Sequence, residues 1–375
     1  MMLPALTALL LATASTSIPA PVVVQDPRIT ESSGLVASPT RPDLVWTVND
    51  SGSSAVVYGV SLRTGRTVGA LRLADTDARD MEAMAATRGA DGAGLLWVGD
   101  VGDNRAVRAS VVLRLVREPT SMASATASTT VRPVSLRVRY PDGPHDVETL
   151  IWTPDRRLLL VTKDLFSGVV YEVPAGAVAA ALAGRSTLDP VQAQPLAGVA
   201  MSLVTDGAAL PDGRIILRGY SGATVYPAPP QAGGAAGRLL EPLQQVVLPA
   251  QPQGETLTVV DGGRAILVGS EGVRQPLQRV ELPPAVAAPA TTTGPTSTGP
   301  ANTAQAPTPT PSSPAPATTA SATTAPATTA PATTAPSASP GALNPAPAPR
   351  RPLLALTAIA LALVAGGLAV RRRRR

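Results

Sequence analysis

Five times between residues 31 and 282 the chain repeats one pattern, and this recurrence limits what it can fold into more than its length does. Each unit opens with an acidic residue before a short apolar strand. The five openings are Glu31 before Gly34-Leu35-Val36, Glu82 before Ala83-Met84-Ala85, Glu148 before Thr149-Leu150-Ile151, Asp206 before Ala208-Ala209-Leu210 and Glu255 before Thr256-Leu257-Thr258. Turn sequences follow, such as Thr153-Pro154-Asp155, Pro211-Asp212-Gly213 and Asp261-Gly262-Gly263, which suit tight hairpins. A strongly apolar second strand comes next, as in Leu44 to Val48 or Leu158 to Thr162, then a polar loop and a third strand. Fourth strands are expected at Val68 to Leu73, Val134 to Tyr140, Gln192 to Val199 and Leu243 to Leu248.

The acids stand 51, 66, 58 and 49 residues apart, so a unit is about 50 residues and four strands, the size of a propeller blade. The last unit ends after three strands, and the orphan Val22-Val23-Val24 can supply its fourth. Closing the ring in this way removes exposed sheet edges. The expected fold is therefore all-β, a single β-propeller of five blades with four antiparallel strands each, over residues 21–282. Six blades is the alternative if the long insert at 105–130 forms one. Only Ala175 to Leu182 reads as a short helix. A β-sandwich explains neither the recurring acid nor the period.

The chain resembles a family of secreted bacterial propellers related to phytase-like, SMP-30-like and WD40-type repeats. The resemblance rests on Glu31-Ser32-Ser33-Gly34-Leu35, Trp46-Thr47-Val48-Asn49-Asp50-Ser51-Gly52, Val98-Gly99-Asp100-Val101-Gly102-Asp103-Asn104 and Gln253-Gly254-Glu255, within roughly residues 25–282. It implies the propeller fold more than any one activity.

The ends of the chain read differently. Residues 1–20 carry Leu3, Leu6 and Leu9 to Leu11 before Ala12-Thr13-Ala14, an apolar run of signal-peptide length without a basic start. Between Pro283 and Pro349 no residue is charged and 17 of the 67 are proline. Ala-Thr-Thr-Ala-Pro recurs three times there, a composition that cannot offset the entropy of folding and suits an extended stalk. Residues 350–375 hold an uncharged run of 18, Leu353 to Val370, followed by five arginines. Eighteen helical residues rise about 27 Å, enough to cross a bilayer, and the arginines would hold the C-terminus in the cytoplasm. The expectation is a monomeric, single-pass cell-membrane protein, attached through residues 353–370, with its N-terminal part outside.

The net charge of +5 would suit nucleic acid, but its distribution excludes that partner. Seven of the 31 basic residues lie at 350–351 and 371–375, and the remaining 24 stand against 26 acidic residues. Zero cysteines excludes disulfides, thiolate metal sites and cysteine nucleophiles.

In a propeller the residues entering the inner strands and the loops between second and third strands emerge at one mouth. Glu31, Glu82, Glu148, Asp206 and Glu255 are thus expected to form a ring there, with Asp80 and Asp146 two residues ahead of two of them. Asp50, Asp100, Asp103, Asn104, Asp164 and Glu271 would lie in the adjoining loops. Like charges this close need a cation, shared protons or backbone donors. The five ring acids are accordingly either repeated struts accepting backbone N–H groups, ligands of Ca²⁺, or acid/base groups. Oxygen donors without cysteine favour Ca²⁺ over zinc or copper. Lys163 and Arg218 are read as occupying matching positions in blades three and four, where they neutralise the ring or hold an anionic ligand. His145, the single histidine, sits in a Pro-Gly turn. Ser32 and Ser33 lack a Gly-x-Ser-x-Gly elbow, which speaks against a serine hydrolase. Two functions fit: an extracellular binding or scaffold module acting through an acidic mouth, and, as the alternative, a Ca²⁺-dependent hydrolase of phosphate esters or lactones.

Overall fold

A computed structural model describes residues 21–50, 55–74, 76–121, 128–233 and 237–287. The expected signal segment, nearly all of the stalk and the C-terminal anchor lie outside the described residues. No helix among the described residues is long and apolar enough to cross a membrane.

The sheets form five blades. Blade one contains Ser32–Ala37, Leu44–Asn49, Val56–Ser61 and Thr67–Leu73, from the inner strand outward. Blade two contains Met81–Arg88, Gly94–Asp100, Val111–Arg117 and Val134–Arg139. Blade three is built of Val147–Trp152, Leu158–Thr162, Gly168–Glu172 and Gln194–Val199. Blade four follows with Asp206–Ala209, Ile215–Gly219, Gly222–Tyr226 and Gln244–Val246. Blade five has Gly254–Val260, Ala265–Ser270 and Pro276–Glu281, and Val22–Val23 is its outer strand. Val22 pairs with Leu277 and Val23 with Pro276, both antiparallel. The ring therefore closes with the first strand on the last blade, as the sequence suggests.

Five apolar clusters sit at the five blade-to-blade interfaces. Trp46, Met84 and Leu96 join blades one and two. Trp97, Leu113, Leu160 and Tyr171 join blades two and three, and Leu159 and Leu217 join three and four. Ile216 and Leu257 join four and five, and Tyr58 and Leu267 join five and one. Each sheet is thus covered on both faces, which is why the second strands are apolar without alternation. Close packing imposes small residues at particular points: a side chain at Gly59 would stand 2.9 Å from the Trp46 ring. The short helix forms at Ala175–Leu182, after Pro174.

Two details depart from the expected four-stranded blade. The insert at 105–130 makes no sixth blade; its end contributes Ser128–Val131, which pairs in parallel with Thr67–Leu73 of blade one. In the same way Thr187–Gln192 pairs in parallel with blade two, and Leu239–Leu240 with blade three. Each added strand comes from the third-to-fourth connection of the following blade and reaches back, stitching neighbours together at the rim. This also divides the stretch expected as one strand at Gln192 to Val199, since Gln192 belongs to blade two and Gln194–Val199 to blade three. Packing continues past Leu282: Val286 is buried, and its carbonyl accepts a 2.7 Å hydrogen bond from Arg214 Nη2.

Candidate functional site

Strand register decides which residues reach the mouth of the bore. In blades one, two, three and five the pairing between inner and second strands slips at the start of the inner strand. The extra residue at the slip is Ser33, Glu82, Glu148 and Glu255 respectively. A bulge of this kind re-aims one side chain out of the regular alternation. Blade four pairs without a slip, Asp206 opposite Arg218 and Gly207 opposite Leu217. Thr153 N–H bonds Arg157 O in blade three as Leu210 N–H bonds Arg214 O in blade four. Aligned on these hairpins, Asp206 corresponds to Thr149, and Thr205 takes the place of Glu148.

The ring of five equivalent acids is therefore corrected to three. Glu82, Glu148 and Glu255 are equivalent, and Ser33 and Thr205 complete their circle. Glu31 is exposed and lies two residues earlier, in the position shared by Asp80, Asp146 and Gln253. Three matching hydrogen bonds fix this second tier: Asp50 N to Glu31 O at 3.0 Å, Lys163 N to Asp146 O at 2.9 Å and Glu271 N to Gln253 O at 3.0 Å. The same bonds make Asp50, Lys163 and Glu271 equivalent loop residues. Tyr220 holds that position in blade four, so Lys163 does not match Arg218.

Several candidates prove to be tied into the scaffold. Asp206 is fully buried, and its oxygens accept N–H groups of Gly207 at 2.8 Å and Leu257 at 2.7 Å, linking blades four and five. Arg218 crosses the same boundary, donating to Thr256 O at 2.8 Å, Gly269 O at 3.1 Å and Gln251 Oε1 at 3.0 Å. Asp100 accepts from Arg108 and Arg114, each at 2.9 Å, and from the N–H groups of Arg79 and Asp80. Asp103 accepts the N–H groups of Val107 and Arg108, holding the loop closed, and Asn104 is exposed on it. Asp164 accepts from Thr162 Oγ1 at 2.6 Å. His145 lies within 3.1 Å of Tyr171 Oη and Asp142 Oδ1, in a small cluster with Tyr140.

The remaining acids converge. One carboxylate oxygen from each of Asp50, Asp80 and Glu82 lies within 4.8 Å of the others. Ser33 Oγ donates to Glu82 Oε2. Burial raises the Asp80 carboxyl to about 7, helped by its hydrogen bond and charge repulsion with Asp50. Burial also pushes Glu82 well above the usual range, with Glu148 and Asp50 adding to it. The loop backbone closes tightly on this group: a side chain at Gly102 would stand 2.6 Å from Asp80 Cγ and 2.8 Å from Glu82 Cγ.

On the other side of the bore Lys163 Nζ donates to Glu148 Oε1 and lies 5.3 Å from the centre of the Tyr220 ring. Burial opposes its charge, yet Glu148 and Glu255 hold Lys163 above its ordinary pKa. Gln253 Nε2 donates to Glu255 Oε1 at 3.2 Å. The second oxygens, Oε2 of Glu148 and of Glu255, are buried without a hydrogen-bond partner. Glu271 is raised to about 7 by burial and by the nearby charges of Glu255, Asp50 and Glu31.

Ser33, Gly102 and Tyr220 were not evident as members of the mouth from composition alone. Ser33 had a usable signal, since it precedes Gly34-Leu35 as Glu82 precedes Ala83-Met84.

No family model and no curated protein matches the sequence. Among solved structures the chain is similar to a gluconolactonase from Xanthomonas campestris, at 9% identity and a TM-score of 0.37 over 71% of this chain and 96% of that one. It is also similar to a luciferin-regenerating enzyme, at 10% identity and a TM-score of 0.37 over 70% and 95% of the two chains. A glutaminyl cyclase from Myxococcus xanthus aligns at 11% identity and a TM-score of 0.36 over 70% and 94%.

Proposed function

We propose that the channel mouth holds a divalent cation of the Ca²⁺ type and that the protein is a cation-dependent hydrolase of phosphate esters or lactones. The observation that carries this reading is the group Asp50, Asp80 and Glu82, with oxygens within 4.8 Å of one another. Ca²⁺ takes oxygen ligands at about 2.3–2.6 Å, so ligand atoms on opposite sides of one ion stand about 4.6–5.2 Å apart. One buried and two half-buried carboxylates in such contact need a cation or shared protons. The unpartnered Oε2 atoms of Glu148 and Glu255 extend the demand for positive charge across the bore. The donor set is all oxygen, which suits a hard ion.

A bound cation at this place would polarise a carbonyl or phosphoryl oxygen. Around it the chain offers complementary groups. Lys163 is a fixed positive charge for a developing oxyanion. Glu271, with its pKa near neutrality, suits proton abstraction from water. The amino-acid sequence supports placing this mouth outside the cell, on a stalk anchored through residues 353–370.

Titrating Ca²⁺ into the purified protein while following its melting temperature, then assaying a panel of lactones and phosphate monoesters, tests the proposal. The expected result is a saturable rise in Tm and Ca²⁺-dependent turnover, both lost in Asp80→Asn. No Ca²⁺ effect would refute the cation site. A Ca²⁺ effect without turnover on any substrate class would refute the hydrolase and leave an extracellular binding module.

A further inference from the structure

A second charged site lies outside the mouth, in the crevice between blades one and two. Its walls are the connection at 76–79, the loop at 107–110 and the face of blade two that carries Asp100, Arg114 and Arg137, and it encloses about 530 Å³. Arg108 and Arg114 both pair with Asp100, through Oδ1 and Oδ2 respectively, at 2.9 Å each. The side chains of Arg108 and Arg114 are only 10% and 5% exposed, and that of Asp100 is 1% exposed.

Two buried guanidinium groups thus share the Asp100 carboxylate, and the whole lining sets four guanidinium groups against the two carboxylates of Asp77 and Asp100. Isolated buried charge is costly unless a counter-charge is supplied. The hydrogen-bond inventory shows the same deficit. Arg108 uses Nη1 on Gly102 O and Nη2 on Asp100, and Arg114 uses Nη1 on Asp100 with a long 3.4 Å contact from Nη2 to Asp77 O. The Nε atoms of both are buried without a partner. Two further carboxylates near Arg108 are engaged elsewhere, Asp103 with the N–H groups of Val107 and Arg108 and Asp80 with Asp50 and Glu82. At the entrance stand two further arginines, Arg79 and Arg137. Arg79 is 66% exposed and faces Asp77 at a loose 3.6 Å.

We propose that this crevice binds an oxyanion group, a carboxylate, sulfate or phosphate, with Arg79 and Arg137 closing over it and Arg108 and Arg114 supplying the field behind. Planar, multidentate recognition of such groups is what clustered guanidiniums favour over ammonium groups. The site is separate from the proposed cation site, since its charge has the opposite sign and its lining shares no residue with Asp50, Asp80 and Glu82.

The test uses exposed residues so that folding is preserved. Inorganic phosphate and sodium sulfate are titrated into the purified wild-type protein and into Arg79→Ala/Arg137→Ala, at constant ionic strength set with chloride, following Tm. The expected result is a saturable rise in wild-type Tm with sulfate or phosphate and an apparent affinity at least fivefold weaker in the double variant. A formate and acetate series in the same format separates carboxylate from tetrahedral oxyanions. The Ca²⁺ response, measured in chloride, is expected to be unchanged in the double variant. An equal rise with chloride at matched ionic strength, an unchanged affinity in the double variant, or loss of the Ca²⁺ response with it would overturn the proposal.

Discussion

The hydroxyl of Ser33 donates to Oε2 of Glu82 across the boundary between blades one and two. Blade one thus places a neutral donor where blades two, three and five place carboxylates. A fourth carboxylate in the circle would add repulsion among buried charges, whereas the serine relieves it. Ser33→Ala removes the donor and leaves the buried Glu82 carboxyl short of one partner. It should lower stability in cation-free buffer by about 1–2 kcal/mol, read by urea unfolding. An unchanged midpoint would show that the bond contributes nothing.

The pH dependence of stability follows from the raised carboxyls. Asp80 and Glu271 titrate at about 7 in the folded protein and near the ordinary carboxylate range when unfolded. Between those values the folded state binds more protons, so stability should fall as pH rises from about 4 to about 7, and the fall should continue above that through Glu148, which burial raises to about 9, and Glu82. Asp80 and Glu271 are half-buried, and solvent screening limits their share of the slope to about 1 kcal/mol per pH unit. Saturating Ca²⁺ should flatten the slope, because the cation replaces the shared protons. Denaturant unfolding at a series of pH values, with and without Ca²⁺, reads both effects, and a slope of opposite sign would contradict the assignment.

Gly102→Ala probes the cradle without removing a charged group. The added methyl would meet Asp80 Cγ at 2.6 Å and Glu82 Cγ at 2.8 Å, so one or both carboxylates must move. Calorimetric Ca²⁺ affinity should drop tenfold or more, equivalent to about 1.4 kcal/mol. Full retention of affinity would place the cation elsewhere.

Closure of the ring is testable through Val22 and Val24, which are 6% exposed each. Deleting residues up to Gln25 exposes their partners and frees the outer edge of blade five. Each buried valine side chain is worth about 1.5–3 kcal/mol, so a loss of about 3 kcal/mol or more is expected in urea. The cooperative transition should remain single if the blades unfold together.

Blade count, strand order along the chain and ring closure could be read from local pattern. Leu44 to Val48 and Leu158 to Thr162 are too apolar to face water on either side. Pro211-Asp212-Gly213 marks a hairpin by backbone chemistry alone, and Val22 to Val24 has no other partner once the last unit is found one strand short. Such signals are written in neighbouring residues and survive a shift of one position. Membership of the mouth does not. A strand slipped by one residue turns every side chain to the opposite face, so Asp206, one place beyond the position of Glu148, becomes a buried strut. An offset of two keeps the face and moves the residue along the strand, so Ser33 stands in the circle and Glu31 outside it. Arg218 and Lys163 part in the same way, one serving the seam between blades four and five and the other facing the bore. The parallel strands at Ser128–Val131 and Thr187–Gln192 likewise depend on partners in the preceding blade. Bulges, seams and rim strands are settled by cross-strand pairing and by the neighbouring blade's surface, which are contacts between residues distant in the chain, and only the closed ring brings those residues together.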